Sequence, residues 1–277
     1  MRTLIAATHG CERRRPARAA GFSLIELLVV IGIISALGAM LMTAAGSSRQ
    51  MARDAFCRNN LRQLGIAVTL YTGASDGYFP PQGYWQQYPT RYWWGANAKP
   101  PRFSEGFLAP YIGEAGADGS VYQCPEQEPG SYRPEGAAGA LTTTYGYNGY
   151  YLTPPAAPGW ASSIGHRPWQ CIQDLPDSSQ VFLFADAMLD WGKGRLTNTC
   201  FLDPPFIYSR GAWVPNKNPT TCFRHAGRAN VCFVDGHVDS INSSDGTLTS
   251  KKFRIGYVGR SNAPHYVPDW EEWAQGK

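Results

Sequence analysis

Apolar and polar positions divide the chain into three stretches with different patterns. From Phe22 to Gly46 the residues run FSLIELLVVIGIISALGAMLMTAAG, all apolar or small apart from a single full charge, Glu26. Residues 27–48 carry no charge, and twenty-two residues at about 1.5 Å each give roughly 33 Å of helix, the thickness of a bilayer's hydrocarbon core. Polar residues then enter, but Cys57, Leu61, Leu64, Val68 and Tyr71 keep spacings of 4, 3, 4 and 3, which is one stripe of a helix. Arg49, Arg53, Asp54, Arg58, Asn59, Asn60, Arg62 and Gln63 supply most of its polar surface. No proline occurs between Ala17 and Phe79. The pattern therefore predicts one helix from about Ser23 to Thr72, about 75 Å long, transmembrane over 22–46 and amphipathic over 47–75.

Gly73 and Asp76-Gly77 are the stop signals, and beyond them the character changes. Twenty of the twenty-one prolines and all nine tryptophans follow, among short β-rich runs such as QVFLFA (Gln180–Ala185) and ANVCFV (Ala229–Val234). Regular short strands with turn signals predict an antiparallel sheet with long loops over 76–277. The class expected is α+β, a long N-terminal helix packed on a sheet-containing head. Ala229–Val234, Asp235-Gly236 and His237–Ile241 read as a hairpin on a type I′ turn. With Val234 opposite His237, Phe233 would face Val238 on the core side and Cys232 would face Asp239.

Charge narrows the partners. Five arginines precede Gly21 against Glu12 alone, while the remainder balances at twenty basic and twenty acidic residues, so the whole net +4 sits in the first twenty-one residues. No basic surface remains for nucleic acid. An arginine cluster before an apolar span is instead the signal that keeps a terminus cytoplasmic. A secretory signal peptide would need an apolar run of only about 7–15 residues; Thr43-Ala44-Ala45 could serve as its cut site, but this run is too long.

A basic leader ending in Gly21, then Phe22, then Glu26, then "LLVVIGIISAL" resembles the type IV prepilin and type II secretion pseudopilin signature. The resemblance implies cleavage after Gly21 by a prepilin peptidase, removal of the leader 1–21, and N-methylation of Phe22 by the same enzyme. It also implies a pilin-like fold and assembly with other pilin-like subunits through the N-terminal helix. The protein would be single-pass in the inner membrane, with a cytoplasmic N-terminus, an extracytoplasmic head, and a place in a periplasmic or surface filament. Glu26 would then offset the new Phe22 ammonium, its own or a neighbour's. The alternative is a carboxylate that only snorkels to the headgroups.

Further elements, "CRNNLRQLGIAV", "DGYFPP", "YQCP", "YGYN" and "RHAGRANVCFVDGHV", resemble a bacterial group of prepilin-type proteins marked by His, nine residues, then Asp-Gly, here His225, Asp235 and Gly236. The residues themselves suggest that His225 and Asp235 hold a loop against the hairpin, with catalytic or metal use as the alternative. Six cysteines follow the leader's Cys11, and an oxidising exterior permits up to three disulfides. Cys57, on the stripe facing the head, and Cys124, in the shared "YQCP", are the nominated pair.

Chemistry-bearing motifs are otherwise sparse. His225, His237, Cys222, Cys232 and Asp239 lack zinc-site spacing. Calcium suits an extracytoplasmic head, yet Asp186, Asp190, Asp203 and Asp245 form no EF-hand, so no ligands are assigned and no cofactor is expected. Glu126 and Glu128 sit in a turn, and no nucleophile elbow, phosphate loop or metalloprotease motif occurs. The sequence reads as a structural filament subunit without catalytic residues. A minor pilin or adhesin using the aromatic "YWQQYPTRYWW" (84–94) to bind glycans is the first alternative, and a membrane-anchored extracytoplasmic enzyme the second.

Overall fold

The computed structural model describes residues 22–86, 88–98, 100–113, 120–126, 143–155, 164–192, 195–243 and 248–273. The chain divides into two units, 1–48 and 49–277.

Helix α1 spans Leu24–Ala74. Its start is built by Ser23-Leu24-Ile25-Glu26. The Ser23 hydroxyl accepts the Ile25 N–H at 3.3 Å, and the Glu26 carboxylate accepts the Ser23 N–H at 2.8 Å. This is a capping box, which satisfies backbone donors that the first turn cannot pair internally. At the other end Asp76 and Gly77 take left-handed backbone angles (φ 50° and 84°), and the Gly77 N–H closes on the Thr72 carbonyl at 2.9 Å.

In the first unit α1 carries exposed Leu24, Ile25, Leu27, Leu28, Ile31, Ile34 and Leu37. The helix is long and apolar enough to cross a membrane. An α-helix apolar on every side needs an apolar surrounding, which is consistent with membrane anchoring.

In the second unit the same helix turns amphipathic. Cys57, Leu61, Leu64, Ala67 and Val68 are buried, and Tyr71 is half-buried, so the stripe legible in the sequence is the face laid on the head. That face meets a four-stranded antiparallel sheet of β1 (Tyr145–Tyr147), β2 (Phe182–Asp186), β3 (Arg228–Phe233) and β4 (Val238–Asn242), ordered β4-β3-β2-β1. Short two- and three-stranded ribbons surround it. The fold is thus α+β and pilin-like, one long N-terminal helix followed by a head of antiparallel sheets.

Register decides which side chains meet α1. Cys232 pairs with Phe184, and Phe184 with Tyr147, while Asp186 pairs with Tyr145. By alternation Asn230, Cys232, Phe184, Asp186, Tyr145 and Tyr147 share one face, the face toward the helix. Gly65 permits the approach, since a Cβ there would lie 2.8 Å from the Cys232 sulfur.

The β3–β4 hairpin differs from the register expected. Cys232 faces Val238 and Val231 faces Asp239, one residue away from the sequence reading, so Phe233 and Val238 lie on opposite faces. The loop has three residues rather than two. The Gly236 N–H bonds the Phe233 carbonyl at 3.0 Å, the Phe233 N–H bonds the His237 carbonyl at 2.9 Å, and only Gly236 has positive φ (90°). A type I turn closed by a left-handed glycine needs that geometry. The Asp235 carboxylate fixes it by accepting the His237 N–H at 3.0 Å and lying 2.6 Å from His237 Nδ1. The two-residue turn with both central φ positive occurs instead at Ala226-Gly227 (51° and 88°), between His225 and Arg228.

Candidate functional site

At the N-terminus the structure places Phe22 exposed, immediately before α1, with Glu26 as the helix's own cap. Gly21 and the leader 1–21, Cys11 included, lie outside the described residues, as do Glu128 and Asp245. Glu126, the other half of the carboxylate pair considered, is 3.9 Å from Arg53.

Inside the head, four segments far apart in sequence converge. Cys57 comes from the buried face of α1. Cys124 follows a 3₁₀ turn (Ser120–Tyr122), its N–H held by the Thr144 hydroxyl at 2.6 Å. Asp186 ends β2 and has no exposed surface. His225 sits in the tight turn just before β3. One donor atom from each of Cys57, Cys124, Asp186 and His225 lies within 4.8 Å of all the others, and all four residues are buried.

The contacts are specific. His225 Nε2 lies 3.3 Å from the Cys124 sulfur and 3.2 Å from Asp186 Oδ2. The Cys57 thiol donates to Asp186 Oδ1 at 3.4 Å and accepts the Tyr145 hydroxyl at 3.4 Å. Around this inner group stands a second layer. His225 Nδ1 is 3.3 Å from Asp54 Oδ1, which also accepts the Asn230 side-chain amide at 2.7 Å. The Asn230 backbone N–H donates to Asp186 Oδ2 at 2.8 Å, and Arg224 Nε lies 3.7 Å from Asp186 Oδ1.

Electrostatics follow from these contacts. Burial, then the Cys124 contact and the Asp186 charge, push the Cys57 thiol well up. Burial opposes ionisation of Cys124 too, but hydrogen bonds from Cys57 and His225 outweigh it and lower its pKa. For His225, burial favours the neutral ring, whereas Asp186 and Cys124 raise its pKa to about 10. At Asp54 burial is outweighed by hydrogen bonds from Asn230 and Arg58, which lower the carboxyl's pKa.

Of the residues singled out in the sequence, Cys57, Cys124 and His225 are brought together, and Asp235 and Gly236 are not. The nine residues between His225 and Asp235 are spent on a turn and the length of β3, which sets the two at opposite ends of that strand. His225 ties α1 to β2 rather than a loop to the hairpin. The nominated pair Cys57 and Cys124 are neighbours, but both are free thiols, as are Cys171, Cys200, Cys222 and Cys232. Asp54, Asp186, Tyr145 and Asn230 were missed. Asp54 looked like polar surface, although three residues before Cys57 it shares the buried stripe. Asp186 had a visible signal, a carboxylate in phase with Phe182 and Phe184 at the end of an apolar strand.

A cavity of about 310 Å³ lies elsewhere in the head, lined by Tyr92, Trp94, Trp191, Asn97, Asn198 and Asp203 among others. Burial pushes the Asp203 carboxyl up to about 7, and its Oδ1 has no hydrogen-bond partner among the described residues. Within the aromatic segment, Trp93 and Trp94 are core residues, whereas Tyr84 and Tyr88 are exposed.

Residues 16–42 match the model of the prokaryotic N-terminal methylation motif, and residues 46–116 match a family described as a protein of unknown function, DUF1559. No curated protein and no solved structure matches the chain.

Proposed function

We propose that this chain, a type IV pilin- or pseudopilin-like protein, is a structural subunit of a type II secretion-like or type IV pilus-like filament. The methylation motif supports processing by prepilin peptidase, because it covers the basic leader's end, the cut site and the start of an apolar, capped helix. Cleavage after Gly21 would leave Phe22 as an exposed terminus at the membrane's cytoplasmic edge. The head would stand on the opposite side, and the apolar helix would pack against those of neighbouring subunits once they gather. No catalytic step is assigned to the chain.

Glu26 supports this reading further. In the single chain its carboxylate caps α1 through the Ser23 N–H, and the same group stands four residues from the terminus that cleavage creates. A neighbour's Phe22 ammonium can be met by that carboxylate in a filament. Intact mass of the protein from membranes tests the processing. We expect a chain starting at Phe22 and one methyl group heavier, dependent on prepilin peptidase. A terminus at Gly46, or an uncut Met1 chain where the peptidase is active, overturns it.

The cavity favours a second reading, a minor pilin or adhesin. The half-exposed indole of Trp191 and the ring of Tyr92, beside the amides of Asn97 and Asn198, line a cavity that suits sugar rings. Tryptophan quenching by candidate glycans, absent after Trp191→Ala, is its test.

A further inference from the structure

We propose that Cys57, Cys124, Asp186 and His225 form a structural zinc site that fastens α1 to the head. The donor set is the first argument. Two thiolates, an imidazole and a carboxylate are the ligands zinc takes, usually four and tetrahedral. Calcium, with six to eight oxygens, would find only one carboxylate here.

Spacing is the second argument. Zn–S bonds of about 2.3 Å and Zn–N or Zn–O bonds of about 2.0–2.2 Å in a tetrahedron set donor atoms about 3.3–3.8 Å apart. The observed separations are 3.3 Å for Cys124 Sγ to His225 Nε2, 3.2 Å for His225 Nε2 to Asp186 Oδ2, and 3.4 Å for Cys57 Sγ to the other oxygen of that carboxylate, Oδ1. With one donor atom from each residue within 4.8 Å of all the others, the four need draw in only slightly to meet one ion.

The surrounding layer is the third. Histidines that bind metal through one nitrogen commonly give the other N–H to a carboxylate, which fixes the ring. His225 aims Nε2 at the cluster and Nδ1 at Asp54, and Asp54 is itself held by Asn230. The Tyr145 hydroxyl is placed to hydrogen-bond a Cys57 thiolate. Charge closes as well: a dication, two thiolates and the Asp186 carboxylate leave one negative charge, facing the Arg224 guanidinium at 3.7 Å. On binding, the four ligands together give up two protons to solvent, leaving both sulfurs as thiolates and the His225 ring neutral with its remaining N–H on Nδ1, and no redox step is involved.

Two other uses of the same atoms are less well served. A Cys124-His225-Asp54 order matches a nucleophile, a base and its orienting group. Yet Cys124 is 2% exposed and does not line the 310 Å³ cavity, so among the described residues no opening leads substrate to it. A Cys57–Cys124 disulfide would consume both sulfurs and leave His225 and Asp186 facing a bond they cannot ligate. Four protein donors in a buried setting leave no coordination position for water, as in structural rather than catalytic zinc sites.

The test uses the full-length protein purified in detergent without chelators. Elemental analysis should find about one zinc per chain, and exchange for cobalt(II) should give the thiolate charge-transfer and intense visible bands of a tetrahedral site. His225→Gln and Cys57→Ser should lose the metal. Asp54→Asn should keep it with affinity lowered about 10–100-fold. Wild-type protein that takes up neither zinc nor cobalt overturns the proposal, and that result needs no variant to fold. So does a non-reducing peptide map joining Cys57 to Cys124, or rapid alkylation of Cys124 in zinc-supplied native protein, which would mark a reactive thiol.

Discussion

Glu26 has two neighbours to answer to, and substitutions can separate them. Glutamine also completes a capping box, so Glu26→Gln should keep the bond from the Ser23 N–H and leave α1 intact while removing the charge. Glu26→Leu removes both, with a cap loss on the order of 0.5–2 kcal/mol. If the carboxylate neutralises a neighbour's ammonium, both variants are cleaved after Gly21 and both fail to give neighbour cross-links through cysteines placed along the apolar helix. Normal cross-linking by Glu26→Gln would confine the residue to capping. The Ser-x-x-Glu spacing was legible all along, but within a processing motif the glutamate draws attention as a charge and its hydrogen bond is easily passed over. Asp203 yields a second expectation at this scale. The folded protein holds its proton to about pH 7, against 3.8 for an unperturbed carboxyl. The folded state thus binds the extra proton, and stability falls as pH rises from about 4 to about 7 and then levels off. Asp203→Asn should flatten that slope and melt higher than wild type at pH 8, as read by thermal unfolding across the range; parallel curves would show that the carboxyl does not titrate there.

Among elements, the contact between α1 and the sheet carries the next expectation. Gly65 lies in the helix interior, where glycine costs about 1 kcal/mol against alanine, so its presence needs a reason. That reason is the Cys232 sulfur, 2.8 Å from where a Cβ would stand. Gly65→Val should destabilise the head by about 1–3 kcal/mol through overpacking, and Cys232→Ala should restore part of the loss in the double variant, measured by denaturant unfolding. Additive losses would mean the two do not share the space. The stripe of Cys57, Leu61, Leu64 and Val68 was legible because helical period and burial coincide. The hairpin register was not, because Asp-Gly serves two-residue and three-residue loops alike. What selects between them is a set of contacts made only in the folded chain: Asp235 on His237, and Phe233 stacked on the His237 ring at 4.1 Å.

For the molecule as a whole, composition alone places the boundary near residue 75, whereas the structure divides the chain after Ser48. The difference is physical: proline and glycine mark where the helix stops, whereas residues 49–74, whose apolar stripe already predicts a face laid on the head, contribute that face to the head's core. A soluble chain beginning at Arg49 should therefore unfold in one cooperative transition, while one beginning at Asp76 should not, having lost Cys57, Leu61, Leu64, Ala67 and Val68. Circular dichroism melting of the two separates the outcomes, and equal melting curves would remove the helix from the core. The four buried donors were illegible for a related reason. Residues 57, 124, 186 and 225 have no common local spacing, and only the folded sheet with its helix puts them in one place.

That division also bears on how such genes can recombine. A crossover anywhere between the codons for residues 49 and 74 would join a helix face selected against one sheet to a sheet selected against another, and the hybrid would inherit mismatched halves of a single core. A crossover just upstream, near the codons for 46–48, leaves the partners on the same fragment. Lineages of prepilin-type proteins that exchange heads should carry their breakpoints there, at the end of the apolar run rather than at the end of the helix.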